Sequence, residues 1–242
     1  LGFFNKLTSF GITSISDLEY DVPTNFDLFL DWEKSGELKL RYGFATLMDG
    51  DLEKPRRYRE RYRSDKVKYL GLKCYTDGTA LGYTAELLQP YSDKPGTRND
   101  APLDYHKILS NALDADREGF RIRFHAIGDG AVRFSLDTFE ECRRINGARD
   151  SRHSIAHIEV IHPDDIRRFA ELGVIAEIHP AHVNLPCEKA ADNPYPIHLG
   201  ERTKYCFPYK SIIEYGGRIA VGSDYPVVDP NPMLGIYRAV TR

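Results

Sequence analysis

Phe120-Arg-Ile-Arg-Phe-His125 is followed by Ala-Ile-Gly-Asp-Gly130, and then by a stretch to residue 144 whose apolar residues recur every three or four positions. The first segment is short, apolar at alternate positions and aromatic, and it reads as a strand. The second places Val132, Leu136, Phe139 and Cys142 on one stripe and reads as a helix over 130–144. Upstream, residues 103–118 show the same helical period, with Ile108, Leu109, Ala112 and Leu113 on one face. A helix, a strand and a second helix in succession form the unit from which parallel sheets are assembled.

The same alternation continues in both directions. Strands are expected at 11–16, 37–42, 69–75, 153–160, 174–178 and 218–222, and helices at 1–10, 163–172 and 209–215. Pro163-Asp-Asp165 has the proline start and acidic first turn of a helix N-terminus. With the central strand the count is seven. The expected fold is an α/β (β/α)8 TIM barrel, here incomplete with about seven strands, in a single domain over residues 1–242. Two loops, 76–102 and 181–208, are too long to be incidental connections.

The bulk numbers exclude several functions. A net charge of −3 and a pI near 6.3 offer nothing to nucleic acid or to an anionic membrane. The basic cluster at 56–63 therefore reads as a solvated helix face. Cys74, Cys142, Cys187 and Cys206 lie far apart with no CxxC pair. They are expected to be free thiols in a reducing compartment, hence a cytoplasmic location. No apolar run has the length of a membrane span.

Chemistry enters with Lys73, His125, His157 and Asp224. Each stands near the end of a strand-like run: Tyr69-Leu-Gly-Leu-Lys-Cys-Tyr75, Phe120 to His125, Ser154-Ile-Ala-His157 and Ile219-Ala-Val-Gly-Ser-Asp224. Catalytic groups of β/α barrels gather at that C-terminal rim, supplied by several strands. Histidine is a good ligand for zinc or a similar ion, and aspartate can ligate or act as a base. Buried lysine loses its proton, and the free amine can add carbon dioxide to become a carbamate. Taken singly, Lys73 would more often snorkel to solvent, either histidine could be a core residue, and Asp224 could cap a helix. Four such accidents at successive strand ends are a poor account. His153 and His162 read as structural, His106 and His198 as surface residues, Asp129 as a capping or supporting carboxylate, and Asp77 and Tyr75 as pocket residues beside Lys73.

Gly71-Leu-Lys-Cys-Tyr-Thr-Asp-Gly78, His125-Ala-Ile-Gly-Asp129, Arg152-His-Ser-Ile-Ala-His157, Glu177-Ile-His-Pro-Ala-His182 and Gly222-Ser-Asp-Tyr-Pro226, in this order, resemble the amidohydrolase superfamily. They look most like the branch that holds exoenzyme-regulatory-protein-like hydrolases and N-substituted formamide deformylases. The resemblance implies a metal-dependent hydrolase acting on carbon–nitrogen bonds other than peptide bonds. Its cofactor would be a divalent metal, zinc first, with one or two ions, and its substrate a small molecule. By the same resemblance Lys73 is the carbamylated bridging lysine and His125 and His157 bind the more exposed metal. Asp224 binds the buried metal and serves as the catalytic general base, and His182 lies near the substrate; Asp77, placed in the pocket by its position beside Lys73 and not by the resemblance, is the second substrate-binding candidate. His179 stands where that branch often has glutamine, and it receives no role. The superfamily's first strand carries a His-x-His pair, and this sequence contains none. The resemblance therefore implies a chain truncated at both ends, lacking the first barrel strand and the C-terminal part. It also implies a depleted buried site and exposed barrel edges through which copies could associate. Two other readings stay open: a catalytically silent barrel used as a binding or regulatory module, and an isomerase or decarboxylase on the same frame.

Overall fold

The computed structural model describes residues 1–18, 25–183 and 194–241. Seven strands, β1 (Ser14–Leu18), β2 (Arg41–Leu47), β3 (Val67–Tyr75), β4 (Ile122–Ala126), β5 (Ser154–His157), β6 (Ile175–Ile178) and β7 (Arg218–Val221), form one sheet. Every neighbouring pair is parallel and the spatial order is the sequence order. Helices α1 (Gly2–Ser9), α2 (Asp27–Lys34), α3 (Glu53–Arg61), α4 (Tyr105–Arg117), α5 (Asp129–Asn146), α6 (Pro163–Ile166), α7 (Arg168–Leu172), α8 (Pro194–Leu199), α9 (Tyr209–Glu214) and α10 (Pro232–Thr241) supply the crossovers. This is a seven-stranded, incomplete (β/α)8 barrel. Among the described residues β1 pairs only with β2 and β7 only with β6, so the curled sheet is open.

The central strands are buried on both faces, as a parallel sheet covered by helices requires. The main core lies between them and the helices α4 and α5: Phe124 stacks on Phe139 with ring centroids 4.8 Å apart, flanked by Ile122, Leu136, Ile155 and Phe169. Each such side chain contributes roughly 1.5–3 kcal/mol on burial. A second, aromatic core sits under α1, α2 and α3, where Phe26 stacks on Phe44 at 3.7 Å and Phe29 on Tyr42 at 4.0 Å.

Several element boundaries differ from the sequence reading. The strand expected at 37–42 begins only at Arg41; Leu38 and Leu40 are buried, but as anchors of the aromatic core rather than as ladder residues. The strand expected to reach residue 160 ends at His157, because His157 and Ile158 take φ values of 77° and 52°, which no strand accommodates. The helix expected over 163–172 is two short helices that meet at Arg167. Helices α2, α8 and α10 were not anticipated. The basic cluster does lie on α3, with Arg56, Arg57, Arg59 and Arg61 exposed. His198 is not a surface residue: only 12% of its side chain is exposed, and its Nδ1 is 2.8 Å from Asp93 Oδ2.

A polar cluster sits beside the N-terminal ends of β4 and β5, against α4 and α5. Asp116, at the end of α4, accepts hydrogen bonds from Asn146 Nδ2 at 2.9 Å and from Arg149. His153 Nε2 lies 3.0 Å from the same carboxylate, while its Nδ1 accepts from the Ile122 amide at 3.0 Å and its ring stacks on Phe139. His153 is thus the fully satisfied core histidine that the sequence reading expected. His162 caps α6 by accepting from the Asp164 amide. Cys74, Cys142 and Cys206 are free thiols, and Cys187 lies outside the described residues, as does most of the 181–208 loop's first half. Among the described residues no helix is long and apolar enough to cross a membrane.

Candidate metal centre

The C-terminal ends of β3 to β7 converge on a rim of imidazoles. Lys73 is third from the end of β3, His125 is next to last in β4, His157 closes β5, His179 follows β6 directly and Asp224 stands three residues beyond β7. The His125 and His157 ring centroids are 4.4 Å apart, His157 and His179 4.8 Å, and His179 and His182 5.1 Å. His182 Nε2 is 4.0 Å from Asp224 Oδ2. Lys73 Nζ lies 4.9 Å over the Tyr75 ring, and the lysine charge acts on both His125 and His157.

Two sets of three side chains each bring one ligand atom apiece within 4.8 Å of the others: His157, His179 and Asp224, and His157, Glu159 and His182. Among the described residues, His125 belongs to neither three-residue set, although its ring touches His157. Glu159 was missed in the sequence: it lies beyond the end of β5, where the positive φ values of His157 and Ile158 break the strand alternation that could have pointed to it. Its carboxylate accepts the Tyr195 hydroxyl.

Hydrogen bonds select the tautomers. His125 Nε2 is 2.9 Å from the Gly78 carbonyl and His182 Nε2 is 3.1 Å from the Ser223 carbonyl, so each donates from Nε2 and keeps Nδ1 as its lone pair. A backbone carbonyl on the far nitrogen is the usual support of a metal-bound imidazole. His179 is 3% exposed, and neither ring nitrogen has a partner of good hydrogen-bond geometry, although the Gly222 backbone is near enough to act on the ring. A buried imidazole so weakly engaged beside a carboxylate fits a divalent cation, and so does the imidazole and carboxylate donor set.

Burial sets the protonation. It pulls the Lys73 ammonium down to about 7, assisted by the Arg123 charge and opposed by Glu177 and Asp224. It pulls His125 and His179 to about 4, and His157 well below its ordinary range. All three imidazoles are therefore neutral near pH 7, the form that ligates. The backbone is held in sparsely populated conformations at two of these residues, His157 with φ 77° and Asp224 with φ 56°. Strain of this kind, of order 1–3 kcal/mol each, persists only where surroundings enforce it and clusters at functional sites.

Asp77 and Asp129 fasten the long 76–102 loop beneath the rim. The Asp77 carboxylate accepts from the amides of Ile127 at 3.0 Å, Gly128 at 2.8 Å and Glu86 at 3.1 Å, and lies 3.6 Å from His125 Nε2. Burial pushes its carboxyl up to about 8, against the pull of those amides. Asp129 accepts from the Leu88 amide at 2.9 Å. Gly128 permits the contact, since a Cβ there would stand 2.1 Å from the Glu86 carbonyl oxygen.

The open seven-stranded barrel gathers imidazoles and carboxylates, groups that can ligate a metal, at one rim. The chain belongs to the amidohydrolase family, whose model matches residues 2–242. It is 31% identical to Protein LONG AFTER FAR-RED 3 of Arabidopsis thaliana over 172 residues, 71% of this chain and 29% of that protein. It is 33% identical to YtcJ of Bacillus subtilis (strain 168) over 186 residues, 76% of this chain and 33% of that protein. To the N-substituted formamide deformylase of Arthrobacter pascens it is 25% identical over 133 residues, 54% of this chain and 23% of that protein. Thus the chain spans a third or less of each of these relatives. The crystal structure of an uncharacterized metal-dependent hydrolase from Pyrococcus furiosus superposes with a TM-score of 0.78 at 23% identity, over 100% of this chain and 48% of that one.

Proposed function

We propose that this chain carries the rim of a metal-dependent hydrolase that cleaves carbon–nitrogen bonds other than peptide bonds in small molecules. The observation that carries the reading is the convergence of His125, His157, His179, His182 and Asp224 at consecutive strand ends, with a lysine whose ammonium is pulled to about 7 beside them. Family membership supports hydrolysis, and the deformylase among the relatives supports the carbon–nitrogen bond.

His157 would hold the metal with Asp224, with His125 beside them, and Lys73 would add a further oxygen ligand as its carbamate. The neutral Lys73 amine attacks carbon dioxide, an N–C bond forms, and the nitrogen proton is released to solvent. A divalent ion such as zinc supplies Lewis-acid polarisation of the scissile carbonyl and acidifies water. Asp224 accepts the proton of the attacking water and returns it to the departing amine. His182, fixed by its Nε2 bond to the Ser223 carbonyl, would offer its Nδ1 lone pair to the substrate. Asp77 acts as a positioning residue, because its oxygens hold three backbone amides and its nearest ring atom is on His125.

Lys73→Ala is expected to lower turnover of N-formyl amines by orders of magnitude, with partial rescue by short carboxylic acids that occupy the place of the carbamate. Undiminished turnover in the variant would remove Lys73 from the site, and a wild-type chain whose turnover survives exhaustive chelation would remove the metal.

A further inference from the structure

We propose that His179 is a metal ligand, and that with His157 and Asp224 it forms a three-residue site for one borderline divalent cation that needs no His-x-His pair. This rests on the reading of the rim as a metal site and goes further by assigning the one imidazole that the family pattern leaves without a role.

Three observations support this. First, His179 is 3% exposed, and neither ring nitrogen has a partner of good hydrogen-bond geometry, although the Gly222 backbone is near enough to act on the ring. An imidazole that deep normally hydrogen-bonds well, as His153 does with both nitrogens, so at least one nitrogen of His179 is left for another partner atom. Second, a ligand atom of His179 lies within 4.8 Å of one on His157 and of one on Asp224. Ligands around a tetrahedral zinc stand about 3.3 Å apart at bond lengths near 2.0–2.1 Å, so small side-chain rotations close the set. Third, the ring packs against the start of the turn that leads to Asp224: a Cβ at Gly222 would stand 3.4 Å, ordinary contact distance, from both Cε1 and Nδ1 of His179.

Position explains why β6 can contribute. His179 follows the last ladder residue, Ile178, whose partner is Val221 on β7. The ring thus projects from the strand end between the His157 and Asp224 strand ends. Two imidazoles and one carboxylate leave an open fourth position, the donor set of hydrolytic zinc sites. The second set, His157 with Glu159 and His182, competes for the same imidazole. A neutral imidazole has one free lone pair, so only one of the two sets is filled at a time.

The test uses the full 242-residue chain, titrated with zinc and with cobalt(II) as the spectroscopic probe. His179→Gln should weaken binding of either ion by on the order of 100-fold, the share of one ligand in a site of this kind. X-ray absorption should count two imidazoles per zinc in the wild type and one in the variant. His179→Cys should keep the ion and add a thiolate-to-cobalt charge-transfer band, which a merely structural residue cannot produce. A His179→Gln chain with wild-type affinity and imidazole count, or a cobalt-loaded His179→Cys chain without the band, overturns the proposal. If His157→Gln still abolishes binding in that case, the rim remains a metal site and only the role of His179 falls. A wild-type chain that takes up neither ion overturns both readings.

Discussion

Removing the Asp116 carboxylate should test how the barrel is held at the end opposite the rim. Asp116→Ala leaves the Asn146 amide, the Arg149 guanidinium and the His153 Nε2 without their shared acceptor. Stripping one partner from a buried charged cluster costs about 3–5 kcal/mol. Arg149 is one-third exposed and can turn to water, so the lower figure, about 3 kcal/mol, is expected. That is a large part of the 5–15 kcal/mol by which domains are stable. The pH dependence gives a second handle. Burial pushes the Asp116 acid up, but the bonds from His153 and Asn146 and the charges of His153 and Arg149 outweigh it and hold it at about 2. An unfolded aspartate titrates near 3.9. The folded state therefore binds fewer protons, and this contribution, at most about 2.5 kcal/mol, is present above pH 4 and lost as pH falls toward 2. His153 acts in the same direction over a higher window: burial lowers it from 6.5, so stability declines as pH falls below 6.5. Urea unfolding followed by circular dichroism, repeated from pH 7 to pH 2, should show the roughly 3 kcal/mol loss at pH 7 and a flatter curve below pH 4 in the variant. A loss under about 1 kcal/mol, or an unchanged slope between pH 4 and pH 2, refutes the reasoning.

Two further outcomes are expected. Gly128→Ala drives a methyl to 2.1 Å from the Glu86 carbonyl and should cost about 1–3 kcal/mol, with faster hydrogen exchange at the Glu86 and Leu88 amides; Gly96→Ala, with nothing within 4 Å, is the neutral control. Among the described residues β7 has an unpaired edge, where Val221 is 61% exposed; if copies of this chain associate through it, Val221→Lys should lower the mass measured by light scattering, and an equal mass for variant and wild type rejects that contact.

The strands that carry the candidate site residues were legible because parallel, doubly covered strands are apolar runs, and a lysine or histidine inside such a run is conspicuous. Lys73, His125 and His157 stand out in this way. Asp224 was legible only jointly with them, since an aspartate after a glycine and a serine equally suits a cap. Boundaries were lost where backbone torsion, not composition, ends an element, as at His157 and Ile158. Helix α2 was lost because its short amphipathic run shows its inner face only once α1 and the aromatic core are packed against it. The place of His179 was the least legible. Its sequence signal is a single histidine before proline, and its meaning comes from the strand end on which it sits and from a glycine 43 positions later.

The strict order β1 to β7, in which each strand touches only its predecessor and successor, also determines how the molecule can assemble. No strand has to wait for a distant partner: each crossover delivers the next strand to an edge that already exists, so loop-closure entropy is met in small, similar steps. Between β1 and β7 the sheet can therefore grow strand by strand from any already paired neighbours. The imidazole rim draws on the ends of β3 to β7 together, so it takes shape only once that whole run of strands has paired, and its integrity reports on all of them at once.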